Sequence, residues 1–327
     1  MNEFDLIRHY FDRAPPHRAV LGIGDDAALL DCNGQTMVVA TDMLVQGRHF
    51  FADADPAGIG YKSLVVNLSD LAAMGARPNA FTLAIALPVV DPQWLSEFSR
   101  GLFEAADQYD CELVGGDTTR GPLTISITAI GMVPAQAAIR RDQAQPGDDV
   151  WVSGALGAAA AAVAAFAGAN QSDQQTPSQF LPSTLRRALD RPEPRLDLGV
   201  ELRHIATAAI DVSDGLIADL GHITDRSRVA ITVWADKIPI NALVNELDGI
   251  DAETARHFAL SGGDDYELAF TSAPENRQAI AALSDRLPLA LTRIGEVRAG
   301  QGVDVIDANG HPVTGLSTGG YDHFGQA

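Results

Sequence analysis

Asn67-Leu-Ser-Asp-Leu-Ala-Ala-Met-Gly75 closes an apolar helical pattern that opens at Pro56 and runs through Tyr61, Leu64, Val65 and Leu68 to Leu71. Proline suits the first turn of a helix. One carboxylate, Asp70, falls inside this pattern. An ionised Asp among core-forming residues is costly unless a partner, a set of hydrogen bonds or a metal compensates it. The same grammar returns in the second half as Asp211-Val-Ser-Asp-Gly-Leu-Ile-Ala-Asp-Leu-Gly221. Three more motifs set Asp among small residues: Gly22-Ile-Gly-Asp-Asp-Ala-Ala28, Ala40-Thr-Asp42 and Val114-Gly-Gly-Asp-Thr-Thr-Arg120. Together they describe a scaffold that gathers carboxylates around divalent metal and phosphate.

Composition narrows the field. At 327 residues and 46% hydrophobic, the chain is long enough for two domains with sizeable cores. Its formal net charge is −20, which argues against the phosphate backbone of nucleic acid and against anionic membrane surfaces as partners. Most of the acids belong to a solvated surface. Cys32 and Cys111 give neither a disulfide framework nor a zinc spacing, so a reducing cytoplasm is expected. The first residues lack the basic region and apolar run of a signal peptide. The apolar run over 155–169 is too short to span a bilayer.

Outward from the helix, periodicity places a short amphipathic helix at 3–11, with Phe4, Ile7 and Phe11 on one face, and a hairpin turn at Asn33-Gly34. A strand over 37–41 delivers Asp42 at its end. Further strands are expected at 81–87, 112–114 and 123–133. A helix at 92–110 turns Trp94, Leu95, Phe98, Leu102, Phe103 and Ala106 inward. The domain boundary falls in the stretch 136–146, between an N-terminal domain over 1–135 and a C-terminal domain over 147–327. The second domain shows strands at 150–152, 208–210, 229–234, 267–271, 291–297 and 303–306. Its helices fall at 156–167, 215–227 and 275–287, and residues 170–183 form a polar loop. Helices alternate with strands but adjacent strands also occur, so the fold class is α/β with mixed sheets and α+β character.

Phosphoryl transfer requires charge neutralisation and two oxygens held in line. The chain has only two lysines, Lys62 and Lys237, and neither sits in a P-loop. Metal remains: Mg²⁺ bridges one or two carboxylates to substrate phosphates. Asp26, Asp42, Asp70, Asp117, Asp211 and Asp214 each lie at an expected strand end or among small residues. For any one of them a capping or turn role competes; the set favours metal. Gly22-Ile-Gly24 is not a dinucleotide fingerprint, because two Asp follow and the chain continues as a strand. Gly115-Gly116 offers backbone amides to a phosphate, or makes a plain turn. Arg140 and Arg141 pair with phosphate, or are solvated linker charges. His49 touches substrate or is structural. Ser213 is placed to cap a helix whose N-terminus faces phosphate. Asp264, in Ser261-Gly-Gly-Asp-Asp-Tyr-Glu267, contacts metal or a cationic substrate group.

In this order, with Gly47-x-His49-Phe50, Gly115-Gly-Asp-Thr-Thr-Arg-Gly121 and Gly320-Tyr-Asp-His-Phe324, the motifs resemble the thiamine-monophosphate kinase family. That family sits in the superfamily of aminoimidazole ribonucleotide synthetase and selenophosphate synthetase, and the match spans nearly the whole chain. The resemblance implies a two-domain PurM-like architecture whose N-terminal domains pair in a homodimer. It implies ATP-dependent phosphorylation of thiamine monophosphate by in-line transfer, with positioning and metal electrostatics in place of a catalytic base. It implies Mg²⁺ ions at Asp26, Thr41, Asp42, Asp70, Asp117, Asp211 and Asp214, and ATP contacts from Gly116, Asp117, Arg141 and Ser213. Substrate contacts fall to His49 and Asp264, with Thr318 and Tyr321 at the C-terminal end. Three departures stand out: Ala40 where Ser is common, Asp264 for the usual Glu, and Thr318 where some relatives carry an aromatic residue. A selenophosphate synthetase would need a reactive Cys and Lys near the N-terminus, yet no lysine precedes Lys62. A non-catalytic acidic cation-binding protein would need no phosphate-cradling loops.

Overall fold

A computed structural model of the protein describes residues 19–169, 182–247 and 249–316. The expected helix at 3–11, most of the polar loop, Thr318, Tyr321 and the 320–324 motif lie outside these residues.

The helix that carries Asp70 is α1 (Pro56–Ala73), with Pro56 in its first turn and the Asp55 carboxylate accepting from the amides of Ala57 and Gly58. Sixteen of its 18 residues are buried, so it has no solvent face and lies in the interior. One side packs on α2 (Pro92–Gln108). That crossing is tight: a Cβ on Gly60 would stand 2.0 Å from the Phe98 carbonyl oxygen, and one on Gly101 1.8 Å from that of Ala57. Phe98, Leu102 and Ala105 of α2 turn inward, whereas Phe103 is exposed. The apolar stripe repeats at three and four residues, and position 103 falls beside it.

Beneath the two helices lies a six-stranded sheet in the order β1-β2-β3-β6-β4-β5. Its strands are β1 (Ala19–Leu21), β2 (Ala28–Cys32), β3 (Gln35–Val45), β4 (Arg77–Leu87), β5 (Glu112–Arg120) and β6 (Thr124–Pro134). All pairs are antiparallel except β4 with β5. Three of these strands outrun their expected lengths: β4 begins at Arg77 rather than at 81. β3 continues through Asp42 to Val45, and β5 continues through Gly115-Gly116 to Arg120. The glycines are therefore a bulged strand, not a turn: the register against β4 shifts between Phe81 and Thr82, and a Cβ on Gly116 would lie 1.8 Å from the Leu83 carbonyl oxygen.

A second six-stranded sheet has the order β12-β9-β11-β7-β10-β8. It comprises β7 (Asp149–Ser153), β8 (Ala208–Asp211), β9 (Ala230–Trp234), β10 (Leu268–Ser272), β11 (Leu291–Arg298) and β12 (Gly302–Ile306), with only β9 and β12 parallel. Its helices are α3 (Ala158–Ala169), α4 (Ser183–Asp190), α5 (Leu196–Leu202), α6 (Leu216–Ser227), α7 (Ala252–Ser261) and α8 (Arg277–Arg286). The sequence reading did not find α4, α5 or α7; each is ten residues or fewer, too short for a strong period. Both sheets are mixed, as the alternation of strands and helices predicts. The free side of α1 packs on α5 and β8. One apolar core therefore runs from Leu64, Leu68 and Ile127 in the first half to Leu198, Ala209 and Phe270 in the second. Among the described residues no helix is long and apolar enough to cross a membrane.

Candidate active site at the seam of the two sheets

Three motifs that are distant in sequence meet where α1 passes between the sheets. Asp70 comes from the last turn of α1, Asp211 from the end of β8, and Asp26 from the loop before β2. One carboxylate oxygen of each lies within 4.8 Å of the other two. Ser69 anchors the trio by donating to Asp211 Oδ2 at 2.7 Å. Asn67, one turn earlier, accepts from the Asp42 amide at 2.9 Å and donates to the Ser63 carbonyl at 3.1 Å. The polar residues of Asn67-Leu-Ser-Asp70 thus bind outward to the two neighbouring strands.

Arg141 supplies the counter-charge. Its guanidinium pairs with Asp26 and lies 3.4 Å from Asp25, while its amide donates to Asp25 Oδ2 at 3.2 Å. Its side chain is 12% exposed, so it is not a solvated linker charge. The second half holds it in place: Ser227 of α6 donates to the Arg141 carbonyl at 2.9 Å, and Arg226 to the Ile23 carbonyl at 3.1 Å. Burial works against the Arg141 charge, but Asp26 and Asp25 outweigh it and hold its pKa above the usual range.

One guanidinium does not balance this cluster. Loss of water pushes the Asp70 carboxyl well above the usual carboxylate range, and the charges of Asp42, Asp211 and Asp26 push it further. Although Asp70 keeps a partly accessible edge, the protein around its carboxyl removes most of its hydration. Asp211 is raised by burial and by Asp26, against the Ser69 hydrogen bond. Asp25 is raised to about 7 by burial and by Asp26. Asp26 Oδ2 is buried without a hydrogen-bond partner. An orphaned buried carboxylate oxygen among mutually repelling carboxylates is the donor set of a hard divalent cation, and the residues present fit Mg²⁺.

The other expected ligands are distributed unevenly. Asp42 lies near enough for its charge to act on Asp70 and Asp211. Thr41 points to the opposite face of β3, where its hydroxyl meets that of Thr128 at 2.9 Å. Asp117 is on that open face too. Thr41 pairs with Thr128, Thr128 with Thr82, and Ala84, two residues along the same strand, with Asp117. Asp42, Asp117 and Asp214 are outside the group of three. His49 Nδ1 accepts from the Val45 amide at 3.0 Å, closing the turn after β3.

Ser213 does not cap α6. Gly215 is the capping residue, at φ 123° and with no side-chain bond, and Asp219 reaches back from the first turn instead. Its Oδ2 accepts from the amides of Ser213, Asp214 and Gly215 at 3.1, 3.2 and 3.1 Å. The helix N-terminus is thereby filled by a carboxylate and fixes the loop that carries Ser213 and Asp214. Sequence reasoning missed Asp219; its signal was an acid four residues after Gly215 in the first turn of a helix.

Residues 24–133 match the N-terminal domain of the AIR synthase related proteins, and residues 145–308 match the C-terminal domain. Thiamine-monophosphate kinase of Salmonella typhimurium is 46% identical over 98% of this chain and 98% of its own length. The crystal structure of thiamine-monophosphate kinase from Stenotrophomonas maltophilia is 49% identical, covers 91% of this chain and 93% of its own, and superposes with a TM-score of 0.78. A structure described as AaThiL complexed with AMPPCP and TMP is 30% identical and has a TM-score of 0.82, covering 99% of this chain and 97% of its own.

Proposed function

We propose, from the premise that this chain belongs to the thiamine-monophosphate kinase family of AIR synthase related proteins, that it transfers the γ-phosphate of ATP to thiamine monophosphate, making thiamine diphosphate. The related AaThiL is complexed with AMPPCP and TMP, an ATP analogue and the acceptor. The observation that carries the reading is the trio Asp26, Asp70 and Asp211 with its orphaned oxygen beside Arg141.

The acceptor is a phosphate monoester, already anionic near neutral pH, so attack on the γ-phosphorus needs no general base. No residue is assigned a proton-transfer role. The task of the chain is to hold two polyanions in line within a strongly acidic seam. Asp26, Asp42, Asp70 and Asp211 would hold Mg²⁺, with Asp214 and, from the open sheet face of a second copy, Asp117 and Thr41 completing the set. Bound Mg²⁺ supplies charge neutralisation for the phosphates, and the carboxylates place it. Arg141 offers N–H donors to the nucleotide phosphates. Gly116, Asp117 and Ser213 contact ATP; His49, Asp264, Thr318 and Tyr321 contact thiamine monophosphate. ATP as co-substrate supports a cytoplasmic location.

The open face of the first sheet supports a homodimer. Met43 lies 54% exposed there, and Asp117, on the same face and turned from the trio of its own chain, would meet a carboxylate trio from a second copy. The direct test is formation of thiamine diphosphate from ATP, Mg²⁺ and thiamine monophosphate, with EDTA and no-acceptor controls. Metal-dependent product supports the reading. ATP hydrolysis without thiamine diphosphate would overturn the acceptor.

A further inference from the structure

Lys62 is one of two lysines in the chain, and it lies in the middle of α1 with 4% of its side chain exposed. A buried ammonium is strongly unfavourable unless paired. Its partner comes from the other half of the molecule: Nζ lies 3.0 Å from Asp264 Oδ1. The Tyr266 hydroxyl donates to the same oxygen at 2.9 Å, and the Lys62 ammonium stands 6.0 Å from the centre of the Tyr266 ring. Two donors therefore converge on one carboxylate oxygen while the Asp264 side chain stays 32% exposed.

The backbone around this carboxylate is equally constrained. Asp264 and Tyr266 both adopt left-handed conformations, at φ 67° and 52°. For residues other than glycine such conformations persist where the surroundings enforce them, and they cluster at functional sites. Here the Asp264 amide donates to the Ser213 carbonyl and the Tyr266 amide to the Val212 carbonyl, each at 2.8 Å. A Cβ on Gly263 would lie 2.2 Å from the Ser213 carbonyl oxygen. The segment is thus clamped onto the loop that follows Asp211, the metal-side strand end. Stability alone does not explain the pair, since an apolar side chain in place of Lys62 would avoid the desolvation cost of a buried charge.

The geometry points to Lys62 as a positioning residue, acting with Tyr266, that fixes Asp264 Oδ1 so that Oδ2 meets a cationic or N–H-donating group of the organic acceptor. This deepens the functional reading above and rests on it. The thiazolium and aminopyrimidine rings of thiamine monophosphate carry that chemistry; ATP carries no fixed cation. Lys62 is too buried to touch the acceptor itself, and its effect passes through Asp264. A helix held at one end by Asp70 and in the middle by Lys62 would set the distance between the phosphate site and the ring site.

The test is steady-state kinetics on Lys62→Met, Lys62→Arg, Tyr266→Phe and Asp264→Asn, with thiamine monophosphate and ATP varied separately. Losing one of two bonds that orient a charged group is expected to raise KM for thiamine monophosphate about tenfold in Lys62→Met, with KM for ATP held within about twofold. Lys62→Arg should recover most of that loss. Combining Lys62→Met with Asp264→Asn should be no worse than Asp264→Asn alone, because one acts through the other. An unchanged KM for thiamine monophosphate, or effects that multiply in the double variant, would overturn the assignment. So would a parallel loss in both KM values and kcat. If Lys62→Met does not fold, Tyr266→Phe carries the same test with a single hydroxyl removed. Wild-type protein that neither binds thiamine monophosphate by calorimetry nor phosphorylates it would overturn the functional reading along with this one. Turnover by wild type with an indifferent Lys62→Met would sink the positioning role alone.

Discussion

Asp70 carries opposed demands. Without a cation, its burial and its neighbours Asp42, Asp211 and Asp26 all oppose its charge, so the arrangement that suits phosphate chemistry weakens the empty protein. Asp70→Asn removes the repulsion and keeps the shape. The metal-free variant should therefore melt about 2–4 °C above wild type, the shift expected for ~1 kcal/mol in a protein of this size or somewhat smaller. Mg²⁺ should stabilise it less than it stabilises wild type, and turnover should fall by about 100-fold or more. Scanning calorimetry with EDTA and with Mg²⁺, beside the coupled assay, checks all three. A variant that is destabilised, or fully active, contradicts the assignment. His222 on α6 gives a second handle. Burial, then Arg141, lowers its pKa from 6.5 to about 4. Between those values the unfolded chain binds the extra proton, so the contribution of His222 is complete above pH 6.5 and is lost as pH falls toward 4. His222→Gln should flatten stability against pH in that window by up to about 1.4 kcal/mol per pH unit, read from urea melts at several pH values. The sequence makes Asp26, Asp70 and Asp211 visible because an acid among small or apolar residues has few bland explanations. Asp219 and Lys62 stay hidden because a charged residue on a helix ordinarily faces water; that α1 has no watery face emerges only when the second sheet is placed.

At the level of elements, the crossing of α1 and α2 allows no side chain at Gly101. A Cβ would stand 1.8 Å from the Ala57 carbonyl oxygen and 2.6 Å from its carbon. Backbone cannot yield as a flexible side chain does, so Gly101→Ala should destabilise by about 2 kcal/mol despite the better helix propensity of alanine. The denaturation midpoint should fall with an unchanged slope. A neutral result would mean the helices separate easily. The strands teach a related lesson. Gly115-Gly116 reads as a phosphate-approaching loop or a plain turn that ends a short strand, and the continuation of β5 through the pair emerges only from its pairing with β4, a neighbour parallel to it and more than 20 residues earlier in sequence. Likewise the sequence ends β3 at Asp42 because a carboxylate interrupts its apolar alternation. In the structure Asp42 keeps the period of the strand, on the face shared with Val38, Ala40 and Leu44.

For the whole molecule, the faces of the first sheet make a prediction about assembly. Asp70 and Asp117 lie on opposite sides of it, so an active site that uses both draws them from different chains. Asp70→Asn and Asp117→Asn, each inactive alone, should regain activity when co-expressed. One of the two sites in each mixed dimer is intact, so random pairing should restore about a quarter of wild-type turnover. No recovery, together with a monomer by light scattering, would mean each chain works alone. The architecture of mixed sheets and the order of the carboxylate motifs are legible from the sequence, since both are local patterns. Which face of a sheet a residue occupies is not, because that depends on register across four strands.

The core that passes through α1 from Ile127 to Phe270 has a mechanical consequence. A two-lobed enzyme often works as a clamshell, parting its halves to admit ligands and closing for chemistry. Here the hinge line is occupied by a rod fully embedded in both lobes and tethered by Ser69 to Asp211 and by Lys62 to Asp264. Parting the lobes would expose apolar core and strand a buried ammonium. Lobes joined in this way should open only at that cost, so nucleotide exchange is expected to proceed without parting them, over a phosphate-handling floor of constant dimensions.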